Sequence, residues 1–407
     1  MAKYNILVVI SDRFGCGKFR SIDPHLMLAR MYPDLFNVDI KDHNEVMVHN
    51  MNFPEFAKKY DLIHIHKEID RAGLIIQMFK FLGKKVIVDL DDHYQLGQHH
   101  PMYNMSKQEN WAQNVLKHVH HADLITTTTD IYKKILLRHN KNILVLPNAV
   151  NPEEGQFKIV EKKSDRLRVG IICGSSHLED IKLLKGMISW FSKEELDKLQ
   201  FVLCGFDTRG FKHFIDPDGT KRSESIKPQE SVWYEYERIL TNDYSIVSED
   251  FKNKLHEFKE WTDCYDENEP YSRFWTRSIE TYATHYHNID ILLVPLAKSE
   301  FNSVKSQLKV IEAGFHKKSI IASNFGPYTI DLKSILNRNG IDYSGNSILI
   351  DKYKSSKDWA NAIKVFLNDR NLLKKTSENL YDTVKENYSL PHVTELRKEK
   401  YLELLEN

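Results

Sequence analysis

Four residues recur at i, i+4, i+7 and i+11 in one stretch of the chain: Lys305, Lys309, Glu312 and His316. If the chain is helical from about Val304, they share a face that offers two cations and a carboxylate. Val304, Leu308, Ile311 and Phe315 repeat one residue earlier and would pin that helix to a core. The run 291–295 just before it reads as a buried strand. A strand feeding the polar start of a helix is where an α/β protein holds an anionic ligand. Ser306 and the backbone amides near 302–305 would add donors. The same spacing also describes a solvated charged face.

Other groups bear on that choice. Gly174, Ser175, Ser176 and His177 follow an apolar run, and a turn of small residues lets backbone approach phosphate closely, or simply starts a helix. Gly15 and Gly17 sit in GCGKFR, which is neither GxGxxG nor a P-loop, with Lys18 and Arg20 able to face anionic groups. Asp91, Asp92 and His93 end a strand; acidic residues there suit a metal, catalysis, or plain N-capping and turn formation. Arg273, beside Tyr271 and Trp275, could contact a phosphate or sugar or stack on an aromatic ring.

The elements that must position these groups alternate. Strands are expected at 4–10, 37–40, 61–66, 85–90, 124–128 and 143–146, with helices between them at 23–32, 71–82, 111–121 and 131–139. That rhythm means a parallel sheet covered on both faces. Residues 151–166 are polar without period and read as a linker. The pattern restarts with strands at 167–173, 201–205, 291–295, 319–322 and 347–350, and helices at 180–191 and 330–336. Segment 207–284 breaks the rhythm, with helices expected at 231–240, 248–261 and 272–285. It reads as a helical insertion or as ordinary crossover helices. From 357 onward the chain reads as helical. Two such halves put a cleft between them, where strand ends hold ligands.

Composition narrows the class. The chain has 407 residues, more than one core accommodates. Lys+Arg and Asp+Glu balance at 57 each, which argues against a protein that lives on nucleic acid. Cys16, Cys173, Cys204 and Cys264 form no CxxC pair, so zinc and disulfide frameworks are not expected and a reducing cytoplasm fits. The start lacks a signal-peptide pattern, and no run of 18 apolar residues exists to span a membrane. The 19 histidines include scattered pairs such as His99–His100 and His120–His121, read as surface residues.

In order, GCGKFRSIDP (15–24), VDLDDHY (88–94), HHADLITTTT (120–129), VLPNAV (145–150), VGIICGSSHLEDI (169–181), DILLVPLAKSEFNSVKSQLKVIEAG (290–314), SNFGPY (323–328) and ENYSL (386–390) resemble the GT-B-type glycosyltransferases. More narrowly, the chain is similar to the family-4-like (group 1) retaining transferases of polysaccharide assembly. The resemblance implies two Rossmann-like domains facing a central cleft. These are an acceptor-side domain over 1–150, a linker over 151–166, and a donor-side domain over 167–375 with the insertion at about 207–284. Helices over 376–407 would pack back on the first domain. It implies transfer of a hexose-type sugar from a nucleotide-sugar to a glycan or lipid-linked acceptor, with retention and without a metal or cofactor. The enzyme would be cytoplasmic, open to peripheral contact with the membrane.

By that resemblance Glu312 would accept hydrogen bonds from the ribose hydroxyls. Gly15, Gly17, Gly174, Ser175, Ser176, His177 and Arg273 would line the donor site, and Asp91, Asp92 or His93 would lie near the anomeric carbon or acceptor hydroxyl. Two departures stand out. The family's Glu-x7-Glu has Val304 in place of its first glutamate, and the usual Arg is absent from GSSHLEDIKLLKG. Lys305 and Lys309, with Ser306, would then supply the diphosphate's countercharge. The departures keep two alternatives open: a nucleotide- or glycan-binding protein without catalysis, and a sugar-nucleotide epimerase on the same architecture.

Overall fold

The computed structural model describes residues 2–47, 53–66, 72–216, 220–257, 259–351 and 355–406. Among them, two six-stranded sheets form, and every pairing in both is parallel. The first contains β1 (Tyr4–Ile10), β2 (Phe36–Asp42), β3 (Leu62–His66), β4 (Lys85–Leu90), β5 (Leu124–Thr127) and β6 (Ile143–Val145), in the order β2-β1-β3-β4-β5-β6. The second contains β7 (Leu167–Ile172), β8 (Leu199–Phe206), β11 (Tyr271–Trp275), β12 (Ile291–Val294), β13 (Ser319–Ser323) and β16 (Ile348–Ile350), in the order β11-β8-β7-β12-β13-β16. Short antiparallel pairs, β9 (Phe211–Ile215) with β10 (Lys221–Ser225) and β14 (Leu336–Asn337) with β15 (Gly340–Ile341), stand apart from them. Strands covered on both faces need unbroken apolar runs rather than alternation. ILVVI in β1 and ILLV in β12 are such runs, and both are wholly buried.

The chain divides into two compact units. One comprises Met1–Pro152, Ser299–Ile311 and Lys385–Asn407; the other comprises Glu153–Lys298 and Glu312–Val384. In the first, the terminal helix Leu390–Glu406 lies on the helix Asp23–Met31. Tyr401 joins the core of Ile6, Val8 and Leu28, and its hydroxyl is 2.9 Å from His25 Nε2. In the second, Gln156 and Phe157, from the stretch read as a linker, are buried, and the Phe157 ring faces His316.

Several expected helices are corrected. Segment 207–284 is not simply helical. Among the described residues its α-helices are Val232–Thr241 and Glu249–His256, with 3₁₀ helices at Pro228–Glu230 and Tyr282–Asn288, while Tyr271–Trp275, expected within a helix at 272–285, is the edge strand β11. YSRFW is rich in strand formers, and pairing with β8 overrides its weak helical period. The expected helix 180–191 is only Leu178–Ile181 followed by 3₁₀ turns, and 330–336 is only Tyr328–Asp331. The helix expected from Val304 begins at Leu308, after a separate turn at Glu300–Ser303. The helix expected at 71–82 runs Ala72–Phe81; Arg71 lies outside the described residues.

Candidate functional sites

In the first unit, strand order reverses at β1, so the carboxyl ends of β1 and β3 flank a topological switch point. A chain of polar contacts sits there. Asp12 Oδ1 accepts from the Phe14 (2.7 Å) and Gly17 (3.3 Å) amides, and Asp12 Oδ2 accepts from Ser11 Oγ at 2.9 Å. Ser11 Oγ is 2.8 Å from His66 Nδ1, and His66 Nε2 is 3.2 Å from Asp91 Oδ1. Those last three contacts need three hydrogens, and a neutral imidazole with one hydroxyl supplies two. One further proton, on the imidazole or on either carboxylate, completes the chain.

Gly17 is required by sterics: a Cβ there would lie 1.8 Å from the Asp12 carbonyl oxygen. Gly15 has open space around its Cα. Gly17 begins a π-helical segment, Gly17–Ile22, that carries Arg20 inward. Arg20 is 1 % exposed and does not face a ligand. Its Nε and Nη2 donate to the two oxygens of Asp89 (2.9 and 2.7 Å), and Nη1 donates to Leu146 O (2.7 Å) and Asn148 Oδ1 (3.0 Å). Burial alone would raise the Asp89 carboxyl; the Arg20 guanidinium outweighs it and holds the pKa below the usual carboxylate value. Lys18 pairs with Asp23 at 2.7 Å. Asn148 Nδ2 in turn donates to Ser306 Oγ at 3.0 Å. Lys305 lies outside the helix, half-buried, with its ammonium 5.3 Å from the centroid of the Phe301 ring.

Asp91 is buried and takes the Asp92 amide on the same oxygen that faces His66 (3.0 Å). His93 is buried against Tyr94 and Tyr132, with Nδ1 between the amide and carbonyl of Gln95. Its ring is thus fixed by packing. Cys16, Asp91 and Asp92 bring ligand-type atoms within 4.8 Å of one another. One soft thiol with two hard carboxylates matches no single metal preference.

In the second unit, order reverses at β7 and β12. The turn Gly174–His177 leaves the end of β7 with Gly174, Ser175 and Ser176 exposed. Asp180 ties the two strand ends together: Oδ2 is 2.8 Å from His177 Nδ1, and Oδ1 accepts from the Ala297 amide at 2.8 Å. The Tyr236 hydroxyl donates to the carbonyl of Ser175 and accepts from the His177 amide, both at 3.0 Å.

Glu312 is 4 % exposed, so it is no solvated-face residue. Its Oε1 accepts from the Tyr282 hydroxyl and its Oε2 from the Tyr286 hydroxyl, the latter at 2.9 Å. Burial, then the carboxylate, pushes both phenols well above their usual pKa. His316 is buried and stacks on Tyr286 at 4.8 Å, with burial pushing its pKa down to about 3. Lys309 is half-buried on the same helix.

Arg273 departs from the sequence reading. It is 4 % exposed, and Nη1 donates to both oxygens of fully buried Glu237 (3.2 and 3.0 Å), which also accepts from Tyr271 and Tyr244. This is a core ion pair beneath Phe206, not a ligand contact.

The sequence reading missed His66, Ser11, Asp12, Asn148, Tyr282 and Tyr286. One signal was present for His66. DLIHIH places His64 and His66 at i and i+2 of a buried strand, so both point to one face. Nothing local marked the others.

No protein-family model matches the chain, and no curated protein matches it. Solved structures do. Sucrose-phosphate synthase from Thermosynechococcus elongatus aligns with a TM-score of 0.63 at 14% identity, over 99% of this chain and all of that one. Anabaena HepE in complex with UDP aligns at 0.61 and 10% identity, over 98% and 100%. A glycosyltransferase from Rickettsia africae aligns at 0.60 and 15% identity over the whole of both chains. The fold is that of the GT-B glycosyltransferases. In GT-B terms each six-stranded sheet is one Rossmann-like domain, and the terminal helix Leu390–Glu406 returns to the first.

Proposed function

We propose that the chain is a glycosyltransferase that takes a sugar from a nucleotide-sugar and passes it, with retention, to a glycan or lipid-linked acceptor in polysaccharide or glycoconjugate synthesis. The observation that carries this reading is Glu312: a buried carboxylate whose two oxygens are oriented by Tyr282 and Tyr286. An ionised carboxylate only accepts hydrogen bonds, and one held in this orientation suits a vicinal diol such as ribose. The GT-B fold supports it, since Anabaena HepE on that fold is described in complex with UDP-glucose. We assign residues 167–375 to the donor side and 1–150 to the acceptor side. Gly174, Ser175, Ser176 and His177 would meet the diphosphate, with countercharge from Lys305 and Lys309 and a hydroxyl from Ser306. Gly15 and Gly17 would shape the loop at the β1 end, and Asp91 or Asp92 would be the polar group near the reacting sugar. The protein's contribution would be electrostatic, holding the departing nucleoside diphosphate by preorganised donors and cations. No metal or cofactor is assigned.

Thermal shift and nucleoside diphosphate release across UDP-, GDP-, ADP- and CMP-sugars test this. Binding and release with one of them is expected; silence across all four sinks the proposal. A second reading, a sugar-nucleotide epimerase, is favoured by the fold match to a Listeria monocytogenes protein described as a UDP-N-acetylglucosamine 2-epimerase (TM-score 0.56, 10% identity). It predicts interconversion of the donor without an acceptor.

A further inference from the structure

One bulky residue of the second unit is both strained and exposed. Trp261 has φ +61°, in the left-handed region that glycine and asparagine tolerate and a large side chain avoids. It is nevertheless 62 % exposed, so no core packing holds it there. Strain kept at such a position is a feature of ligand clamps.

The ring has a built backing. The Arg209 guanidinium lies 3.8 Å from its centroid and covers one face. Arg209, just past the carboxyl end of β8, is itself fixed by Asp207: Nε donates to Oδ1 at 2.8 Å and Nη2 to Oδ2 at 2.7 Å. A two-bond fork of this kind sets the guanidinium plane as well as compensating its charge. The same guanidinium is 5.7 Å from the ring of Trp275, which ends β11 and is 4 % exposed. Trp275 lies tilted against Trp261 with centroids 5.9 Å apart. Guanidinium and buried indole therefore take the inner side of Trp261, and its exposure belongs to the outer face.

The surroundings select the ligand. Lys259 is 3.6 Å from Glu257, and Arg277 is 3.5 Å from Asp263, so these charges come in pairs. Glu260 acts electrostatically on Arg209, which Asp207 already compensates. A rim without spare cations gives phosphate no grip. A cationic ligand on the outer face would be repelled by the cation on the inner one. One isolated ring among polar residues is also too small a patch for a protein partner. What remains is a neutral ligand about the size of an indole, with an apolar face and a polar edge. A pyranose has that shape: its C–H groups can meet the negative face of the ring while its hydroxyls stay in water.

We propose that Trp261 is the stacking platform of a second glycan site, which takes one sugar unit of a neutral polysaccharide on its outer face. The site sits at the β8–β11 edge of its sheet, whereas the turn assigned to the diphosphate leaves β7. It needs no sugar transfer to operate.

The test is native affinity electrophoresis of the full chain through gels carrying dextran, laminarin, hydroxyethylcellulose, galactomannan or xylan, with carbohydrate-free gels as reference. Retardation by at least one polysaccharide is expected, and Trp261→Gly should lower the affinity about tenfold or more. Glycine accepts positive φ and the ring is exposed, so the thermal midpoint of that variant should match the wild type. Trp261→Phe keeps a ring and should keep part of the retardation that glycine loses. Three results overturn the proposal. They are free passage through all of these gels, retardation that Trp261→Gly leaves intact, and retardation that excess UDP or ADP abolishes, which would return the ring to the nucleotide. Retardation together with silence toward every nucleotide-sugar keeps the platform and removes the transferase reading.

Discussion

Substituting Arg20 by Met isolates the group that the glycine segment buries. The guanidinium makes four hydrogen bonds, two of them to Asp89, and both partners are essentially inaccessible to water. In Arg20→Met the Asp89 carboxylate keeps the Thr126 hydroxyl at 2.5 Å and loses its countercharge. Leu146 O and Asn148 Oδ1 each lose a donor. Breaking a buried pair from one side costs about 3–5 kcal/mol, because an uncompensated charge stays behind. For a unit of this size, about 4 kcal/mol lowers the midpoint by roughly 8–16 °C. Arg20→Met/Asp89→Leu removes both charges and should recover most of that loss, since a buried pair and an apolar replacement differ little. Acid reads the same pair. The Asp89 pKa is depressed in the folded state, so its contribution is present above the unfolded value of about 4 and is lost as pH falls through the folded pKa. Thermal and urea unfolding followed by circular dichroism at pH 7.5 measures these differences. A single variant within about 1 kcal/mol of wild type, or a double variant no better than the single, would refute the buried-pair account.

Tyr286→Phe removes a donor to Glu312 and should weaken nucleoside diphosphate binding by roughly tenfold or more, by calorimetry. With a 2′,3′-dideoxy nucleotide the variant and wild type should match, because no diol remains for Glu312 to hold; an equal loss with both ligands removes the ribose assignment. Arg273→Met should cost about 3–5 kcal/mol of stability through Glu237 and leave nucleotide affinity of the folded protein unchanged, whereas a selective loss of affinity restores the ligand reading. Stability should also fall in mild acid. Burial pushes His285 and His316 down to about 3, so each takes up a proton only on unfolding. Stability is then full above pH 6.5 and declines below it, by about 2 kcal/mol per histidine at pH 5. Urea midpoints at pH 7.5, 6 and 5 record the slope, and a flat profile contradicts the buried, neutral rings.

The two parallel sheets were legible in the chain because buried parallel strands must be apolar on both faces. Nine of the eleven expected strands match the observed ones to within a residue or two, whereas β2 and β8 each extend three residues beyond the expected bounds. The edge strand β11 was not legible, because YSRFW carries an arginine at its centre and its burial depends on Glu237 from another element. The GSSH turn was legible as a local run of small residues. Its tether through Asp180 to Ala297 was not, since the two residues are 117 apart.

Charge shows the division most plainly. The types and spacing of Lys305, Lys309, Glu312 and His316 marked a stretch where chemistry is concentrated. Only the folded chain decided which charges are spent inside. Arg20 meets Asp89 across 69 residues, Arg273 meets Glu237 across 36, and Glu312 meets Tyr286 across 26. The physical reason is range. Hydrophobic period acts over neighbouring turns and pleats and can be read along the chain. The partner of a buried charge is set by strand order and helix placement, which come into being only when the sheets assemble.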